Sequence, residues 1–215
     1  MLAPPEIALV DYGAGNLRSV AKALERSGLK VAVTGDPDAL PRASAVVLPG
    51  VGAFATAAER LRASGLAEAV RAARAAGRPY LGLCLGLQLL FDESEEHGTT
   101  KGFGWMAGRV ERFPARDVGG GPLRVPHIGW NRVRFSGSHP MLAGLPAEDD
   151  FYFVHGYRAM PRDRAKIVGT TEYGGAFAAA VADEGLFAVQ FHPEKSQAAG
   201  KRLLDAFAAW VDTCR

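Results

Sequence analysis

The chain has 215 residues, with 25 basic and 23 acidic side chains and a formal net charge of +2, an excess too small and too scattered to leave an electrostatic footprint for nucleic acid. No apolar run approaches the ~18 residues of a membrane-spanning helix. Residues 1–6 lack the basic head and apolar core of a secretory signal, so a cytoplasmic protein without membrane attachment is expected. Two cysteines, Cys84 and Cys214, allow no disulfide framework and no zinc spacing, and a reducing compartment would keep both thiols free.

In chain order, Ile7–Val10 is a first apolar strand, followed by the turn Asp11-Tyr12-Gly13-Ala14-Gly15-Asn16. Leu17, Val20, Ala21 and Leu24 then recur at helical spacing, and Gly28 ends that helix. Strands follow at Val31–Val33 and Val46–Leu48, helices over 53–63 and 66–76, and a strand at Tyr80–Leu83. This βαβαβ alternation predicts an α/β fold, a mostly parallel sheet with helices on both faces. The pair Gly13-x-Gly15 after the first strand invites a dinucleotide interpretation, but Arg18 stands where the third glycine belongs, and no P-loop occurs. From 100 to 180 the apolar runs shorten and Gly, Pro and Arg multiply, which predicts antiparallel strands added to the sheet and a mobile loop over 116–122. Leu186–Phe191 is another buried strand, and Leu203, Leu204, Phe207, Trp210 and Val211 make one face of a closing helix. With no repeat, linker or low-complexity stretch, residues 1–215 are expected to form a single domain.

Three segments carry chemistry. In Gly82-Leu83-Cys84-Leu85-Gly86, a cysteine stands where a nucleophile elbow places serine, between an apolar strand and an apolar helix running towards Phe91. Glycines two residues either side permit a sharp turn, and a helix N-terminus beside the sulfur favours the thiolate and anions next to it. Phe191-His192-Pro193-Glu194 closes a strand, and residues two apart in extended chain point to one side, so His192 and Glu194 pair as base and orienting acid. Pro49-Gly50-Val51-Gly52 is a glycine-rich turn after a strand, the kind of backbone that offers N–H groups to an oxyanion. Each has a plainer structural explanation, namely an inert buried cysteine, a strand-end turn and an ordinary βα connection. Together they point to a cysteine hydrolase or transferase with catalytic residues Cys84, His192 and Glu194.

These motifs, with Asp11–Asn16, Pro126-His127-Ile128-Gly129-Trp130-Asn131 and Glu194-Lys195-Ser196-Gln197, resemble the class I (triad) glutamine amidotransferases. Within that family they resemble the glutaminase subunits of imidazole glycerol phosphate synthases, in order along nearly the whole chain. The resemblance implies hydrolysis of L-glutamine with no metal or other cofactor. It implies a heterodimer with a (β/α)8-barrel cyclase subunit that uses the ammonia in histidine biosynthesis. It implies an oxyanion site from the backbone of Leu85 with Val51 or Gly52. It implies glutamine contacts from Gly52, Gln88, His155, Gly156 and Tyr157, although family members often carry a hydroxyl residue where Gly156 stands. Asn16, His127, Trp130, Tyr152 and Lys195 would face the partner and the ammonia path. Glycines at 50 and 52 would let the oxyanion loop flip when the partner engages its substrate. Alternatives are the glutaminase subunit of another biosynthetic amidotransferase (pyridoxal phosphate, anthranilate or GMP synthesis), a stand-alone peptidase-like cysteine hydrolase, and a catalytically inert binding subunit.

Overall fold

The computed structural model describes residues 6–214. Its first half is β1 (Glu6–Val10), α1 (Leu17–Glu25), β2 (Lys30–Thr34), β3 (Ala45–Leu48), α2 (Phe54–Ala63), α3 (Leu66–Ala75), β4 (Tyr80–Leu83) and the single turn α4 (Leu85–Gln88). Then come β5 (Phe91–Ser94), β6 (Thr100–Lys101), β7 (Met106–Arg112), β8 (His127–Phe135), β9 (Glu148–His155) and β10 (Tyr157–Pro161). The chain closes with β11 (Ile167–Glu172), β12 (Ala176–Asp183), β13 (Leu186–Val189) and α5 (Gln197–Thr213). Among the described residues no helix is long and apolar enough to cross a membrane.

The main sheet has nine strands in the order β2-β1-β3-β4-β13-β12-β11-β8-β9. Its first five strands pair in parallel and the remainder are antiparallel. The parallel strands are apolar on both faces because helices cover both. Ile7 and Leu9 of β1, Ala45 and Val47 of β3, and Phe187 and Val189 of β13 join the core under α1 and α5. The intervening Ala8 and Val10, Val46 and Leu48, and Leu186 and Ala188 face the opposite core, under α2 and α3. The two-residue period of the strand thus divides each short run between two cores.

Two expectations are corrected. The apolar stretch after Cys84 does not continue as a helix to Phe91. It is one turn long, and Leu90 O accepts from both Trp105 and Met106 N–H while Leu89 O accepts from Phe103 N–H, so the chain is drawn into a strand. That strand, β5, belongs to a second sheet, β10-β7-β5-β6, so β7 and β10 do not extend the main one. Periodicity does not separate a short buried helix from a buried strand. The loop expected over 116–122 is present and carries internal hydrogen bonds: Asp117 Oδ1 accepts from Gly119 and Gly121 N–H at 2.9 and 2.8 Å, and Arg116 pairs with Pro122 as an isolated bridge.

Candidate active site

The chemistry-bearing segments meet at the carboxyl ends of adjacent parallel strands, where open α/β sheets place their sites. Cys84 follows β4, the Pro49–Gly52 loop follows β3, and Gln190 to His192 follow β13. Cys84 has φ 51° and ψ −100°, a strained conformation for a residue with a side chain. It persists because neighbours over-determine it. Cys84 N–H donates to Val189 O at 2.8 Å, and Cys84 O accepts from Leu87 and Gln88 N–H. The flanking glycines are steric requirements of the same turn. A Cβ on Gly86 would lie 2.0 Å from Leu48 O, and one on Gly82 would lie 2.7 Å from Gly86 O. Strand β4, helix α4 and strand β3 touch backbone to backbone, and this holds the sulfur at the helix N-terminus.

His192 and Glu194 form a buried pair, with His192 Nδ1 to Glu194 Oε1 at 2.9 Å and the two side chains only 4% and 2% exposed. A carboxylate on Nδ1 leaves Nε2 to face the chemistry. Nε2 is buried without a hydrogen-bond partner. Burial alone would lower the His192 pKa, but interaction with the Cys84 sulfur and with Glu194 outweighs it and raises it to about 10. The sulfur is thus near enough to stabilise an imidazolium, although no aligned sulfur–nitrogen hydrogen bond is made. Asn16, in the left-handed conformation at φ 70°, donates from Nδ2 to the same Oε1 at 3.0 Å. Ser196 braces the segment: its hydroxyl donates to His192 O at 2.6 Å and accepts from Tyr152 N–H at 3.0 Å.

The glycine-rich loop lies against the elbow. A Cβ on Gly50 would lie 2.5 Å from the Tyr12 hydroxyl and 2.6 Å from Leu85 Cβ, so only glycine lets the loop approach α4 this closely. Tyr12 donates to Pro49 O at 3.1 Å, and burial, with Cys84 nearby, keeps its phenol protonated. Gly52 has φ 101°. Leu85 N–H is the first of α4 and has no intrahelical acceptor. Phe54 N–H, at the start of α2, donates to Glu96 Oε2 at 2.6 Å and ties the far end of the loop to the second sheet. A void of only about 10 Å³ lies between this loop, Asn16, His192 and Glu194. A far larger cleft, about 1080 Å³, lies at the amino ends of β4 and β13, lined by Pro79, Trp105, His139, Gly185, Trp210 and Cys214, away from Cys84.

Of the residues expected to bind glutamine, Gln88 and His155 meet at the Tyr157 carbonyl and are already engaged. Gln88 Nε2 donates to Tyr157 O and Gln190 Oε1, both at 3.1 Å. His155 is buried, with Nδ1 2.8 Å from Tyr157 O and Nε2 3.1 Å from His127 Nδ1. Gly156 O accepts from Phe113 N–H. Of the residues expected to face a partner, Asn16, Trp130 and Lys195 are exposed and Tyr152 is half-buried. Trp130 pairs across β8–β9 with Tyr152, ring centroids 6.1 Å apart, and Lys195 Nζ lies 6.0 Å from the Tyr152 ring. His127 differs: it is 2% exposed, stacked on Tyr173 and Phe153, so its side chain points into the protein. Gln190, Tyr12, Ser196 and Glu96 were missed from sequence. Gln190 left a signal there as a polar residue inside an apolar strand run, and Tyr12 and Ser196 lie within segments that carry the family resemblance.

An elbow thiol backed by a buried His–Glu pair on a doubly covered parallel sheet is the architecture of an amidotransferase. The chain belongs to the class-I glutamine amidotransferase family, whose model matches residues 8–209. It is therefore an enzyme of the glutamine amidotransferase class. Among curated proteins it is 53% identical over 209 residues to the imidazole glycerol phosphate synthase subunit HisH of Methylococcus capsulatus, covering 95% of this chain and 96% of that one. The protein of the same name from Geobacillus thermodenitrificans is 48% identical over 205 residues, 95% and 96% of the two chains. Solved structures share the fold at lower identity. PurLQS of Thermotoga maritima gives a TM-score of 0.70 at 20% identity, covering 96% and 99% of the chains. The glutaminase domain of Trypanosoma brucei CTPS with bound acivicin gives 0.63 at 19%, covering 97% and 94%.

Proposed function

We propose that this chain, acting as one domain in the cytoplasm, hydrolyses L-glutamine to glutamate and ammonia. It delivers the ammonia to a separate (β/α)8-barrel cyclase subunit that forms imidazole glycerol phosphate and aminoimidazole carboxamide ribotide. The observation that carries the glutaminase reading is the buried His192–Glu194 pair beside a strained elbow thiol. The curated relatives, named as subunits of imidazole glycerol phosphate synthase, support the partner and the destination of the ammonia.

Cys84 attacks the side-chain carbonyl carbon of glutamine as a thiolate, with its proton on His192, which Glu194 holds in orientation. The tetrahedral oxyanion accepts N–H groups from Leu85 and from Val51 or Gly52. Losing one such donor costs about 3–4 kcal/mol in comparable hydrolases. His192 returns the proton to the departing nitrogen, ammonia leaves, and a thioester remains. Water, deprotonated by His192, hydrolyses that thioester, releasing glutamate and restoring the thiol. Gly52, Gln88 and the His155–Tyr157 segment hold the amino-acid end of the substrate, and His155 acts by fixing the Tyr157 carbonyl.

Glycines at 50 and 52 permit a peptide flip in the Pro49–Gly52 loop, which shifts on activation when the partner engages its substrate. The docking face is the outer surface of β8 and β9, where Ile128 and Trp130 are 59% and 50% exposed and Trp130 stands beside Tyr152 and Lys195. The test is glutamate release by the purified chain, alone and with the cyclase plus its ribotide substrate. Strong stimulation by the two together is expected and should vanish in Cys84→Ser. Full turnover without the cyclase refutes the gating, and undiminished activity of Cys84→Ser refutes the nucleophile.

A further inference from the structure

We infer that Gln190 is a positioning residue for the nucleophile, its side-chain amide donating an N–H to the Cys84 sulfur. The inference rests on the proposal that Cys84 is the nucleophile. Gln190 is fully buried just past β13, its backbone N–H donating to Ala179 O at 2.8 Å. Its Nε2 lies 3.5 Å from Cys84 Sγ, and its Oε1 faces Gln88 Nε2 at 3.1 Å.

An amide can be turned end for end with little change in shape, so its orientation has to be argued from its partners. Here the partners leave no choice. The Tyr157 carbonyl can only accept, so it requires an N–H from Gln88 at 3.1 Å and from His155 Nδ1 at 2.8 Å. With its amino group on Tyr157 O, Gln88 turns its second N–H to Gln190. The Gln190 atom facing it is therefore oxygen, and the atom facing the sulfur is nitrogen. The far side of the chain of bonds runs in the same sense. His155, protonated at Nδ1, accepts at Nε2 from His127 Nδ1, and His127 Nε2 accepts from Asn131 Nδ2 at 3.3 Å. Every donor meets an acceptor, and the sequence ends at the sulfur.

A thiol gains little from such a donor, whereas a thiolate gains a charge-assisted hydrogen bond. The amide therefore favours the reactive form and directs the sulfur lone pairs.

The test is the pH dependence of iodoacetamide alkylation at Cys84, in a Cys214→Ser background because Cys214 is also a free, exposed thiol. Gln190→Leu and the less disruptive Gln190→Met remove the donor, and Gln190→Glu presents an oxygen to the sulfur. The alkylation midpoint is expected to rise by about one pH unit in Leu or Met and further in Glu. The kcat for glutamine should fall more than KM changes. An unchanged midpoint in folded Gln190→Met overturns the inference, because mere filling of a buried polar site does not move thiolate formation. A Cys84→Ser variant with wild-type turnover would instead remove the nucleophile assignment on which it stands.

Discussion

Acid should weaken this fold through two buried neutral histidines, and His127→Phe isolates half of the effect. Burial pushes the His127 pKa down from 6.5 to about 4. Burial, partly offset by the bond to Tyr157 O and reinforced by His127 and His192, takes His155 to about 3. Both are lower folded than unfolded, so their contribution is complete above pH 6.5 and is lost as pH falls towards the folded values. Between pH 7 and pH 5 the unfolded chain takes up a proton at each site and the folded chain does not. At 1.36 kcal/mol per unit this amounts to about 2 kcal/mol per histidine, or about 4 kcal/mol for the pair. The figure at pH 5 requires only that the folded values lie below 5, so it is insensitive to their depth. His192, with its pKa raised to about 10, contributes in the opposite direction near pH 7, where only the folded state is protonated, and does so equally in wild type and variant. His139, lowered by burial, adds to the slope equally in wild type and variant. Phenylalanine keeps the stack between Tyr173 and Phe153, where the ring centroids are 4.0 and 4.8 Å away, and removes one titrating group. It leaves His155 Nε2 without its donor, which costs about 1–3 kcal/mol at every pH in the window. Urea unfolding at pH 7 and pH 5 measures the difference directly. The drop in stability between the two should be about 2 kcal/mol smaller in His127→Phe than in wild type. An identical drop in the two proteins would refute the assignment of a neutral His127.

Gly86→Ala places a Cβ 2.0 Å from the Leu48 carbonyl, so β3 and the elbow must separate. A loss of about 1–3 kcal/mol in stability and a larger fractional loss of glutaminase activity are expected, read by thermal melting and glutamate release. Asn16→Ala removes one of two donors to Glu194 Oε1 and should lower kcat about tenfold while the KM for glutamine changes little. An unchanged kcat would show that His192 alone orients the carboxylate. Ser196→Ala breaks the buried bridge between His192 O and Tyr152 N–H and should cost about 1–3 kcal/mol, measured by denaturant unfolding. Trp130→Ala, half exposed on β8, should weaken association with the cyclase without lowering the melting temperature, as followed by titration calorimetry.

The order of elements, the parallel half of the sheet and the elbow were legible in the sequence because they depend on local pattern. A four-residue apolar run such as Ala45–Leu48, short, β-branched and followed by the turn residues Pro49 and Gly50, fits a strand buried on both faces. Glycines bracketing Cys84 announce a turn too tight for a side chain. His192 and Glu194 do pair, but the strand ends at Val189 and a 3-10 turn over Pro193–Lys195, not extended chain, brings them together. Other features depend on contacts between distant segments. The switch at Phe91 from helix to strand is set by hydrogen bonds from residues 103, 105 and 106. The burial of His127 follows from rings 26 and 46 positions along the chain, and the bond from Asn16 to Glu194 spans 178 positions. Gln190 shows the division within one residue. Its polar side chain in the run Leu186–Phe191 marks it from sequence as a position requiring a partner. Which partner it finds, and which end of its amide meets the sulfur, is decided by where the tertiary fold brings Gln88 and the carbonyl of Tyr157.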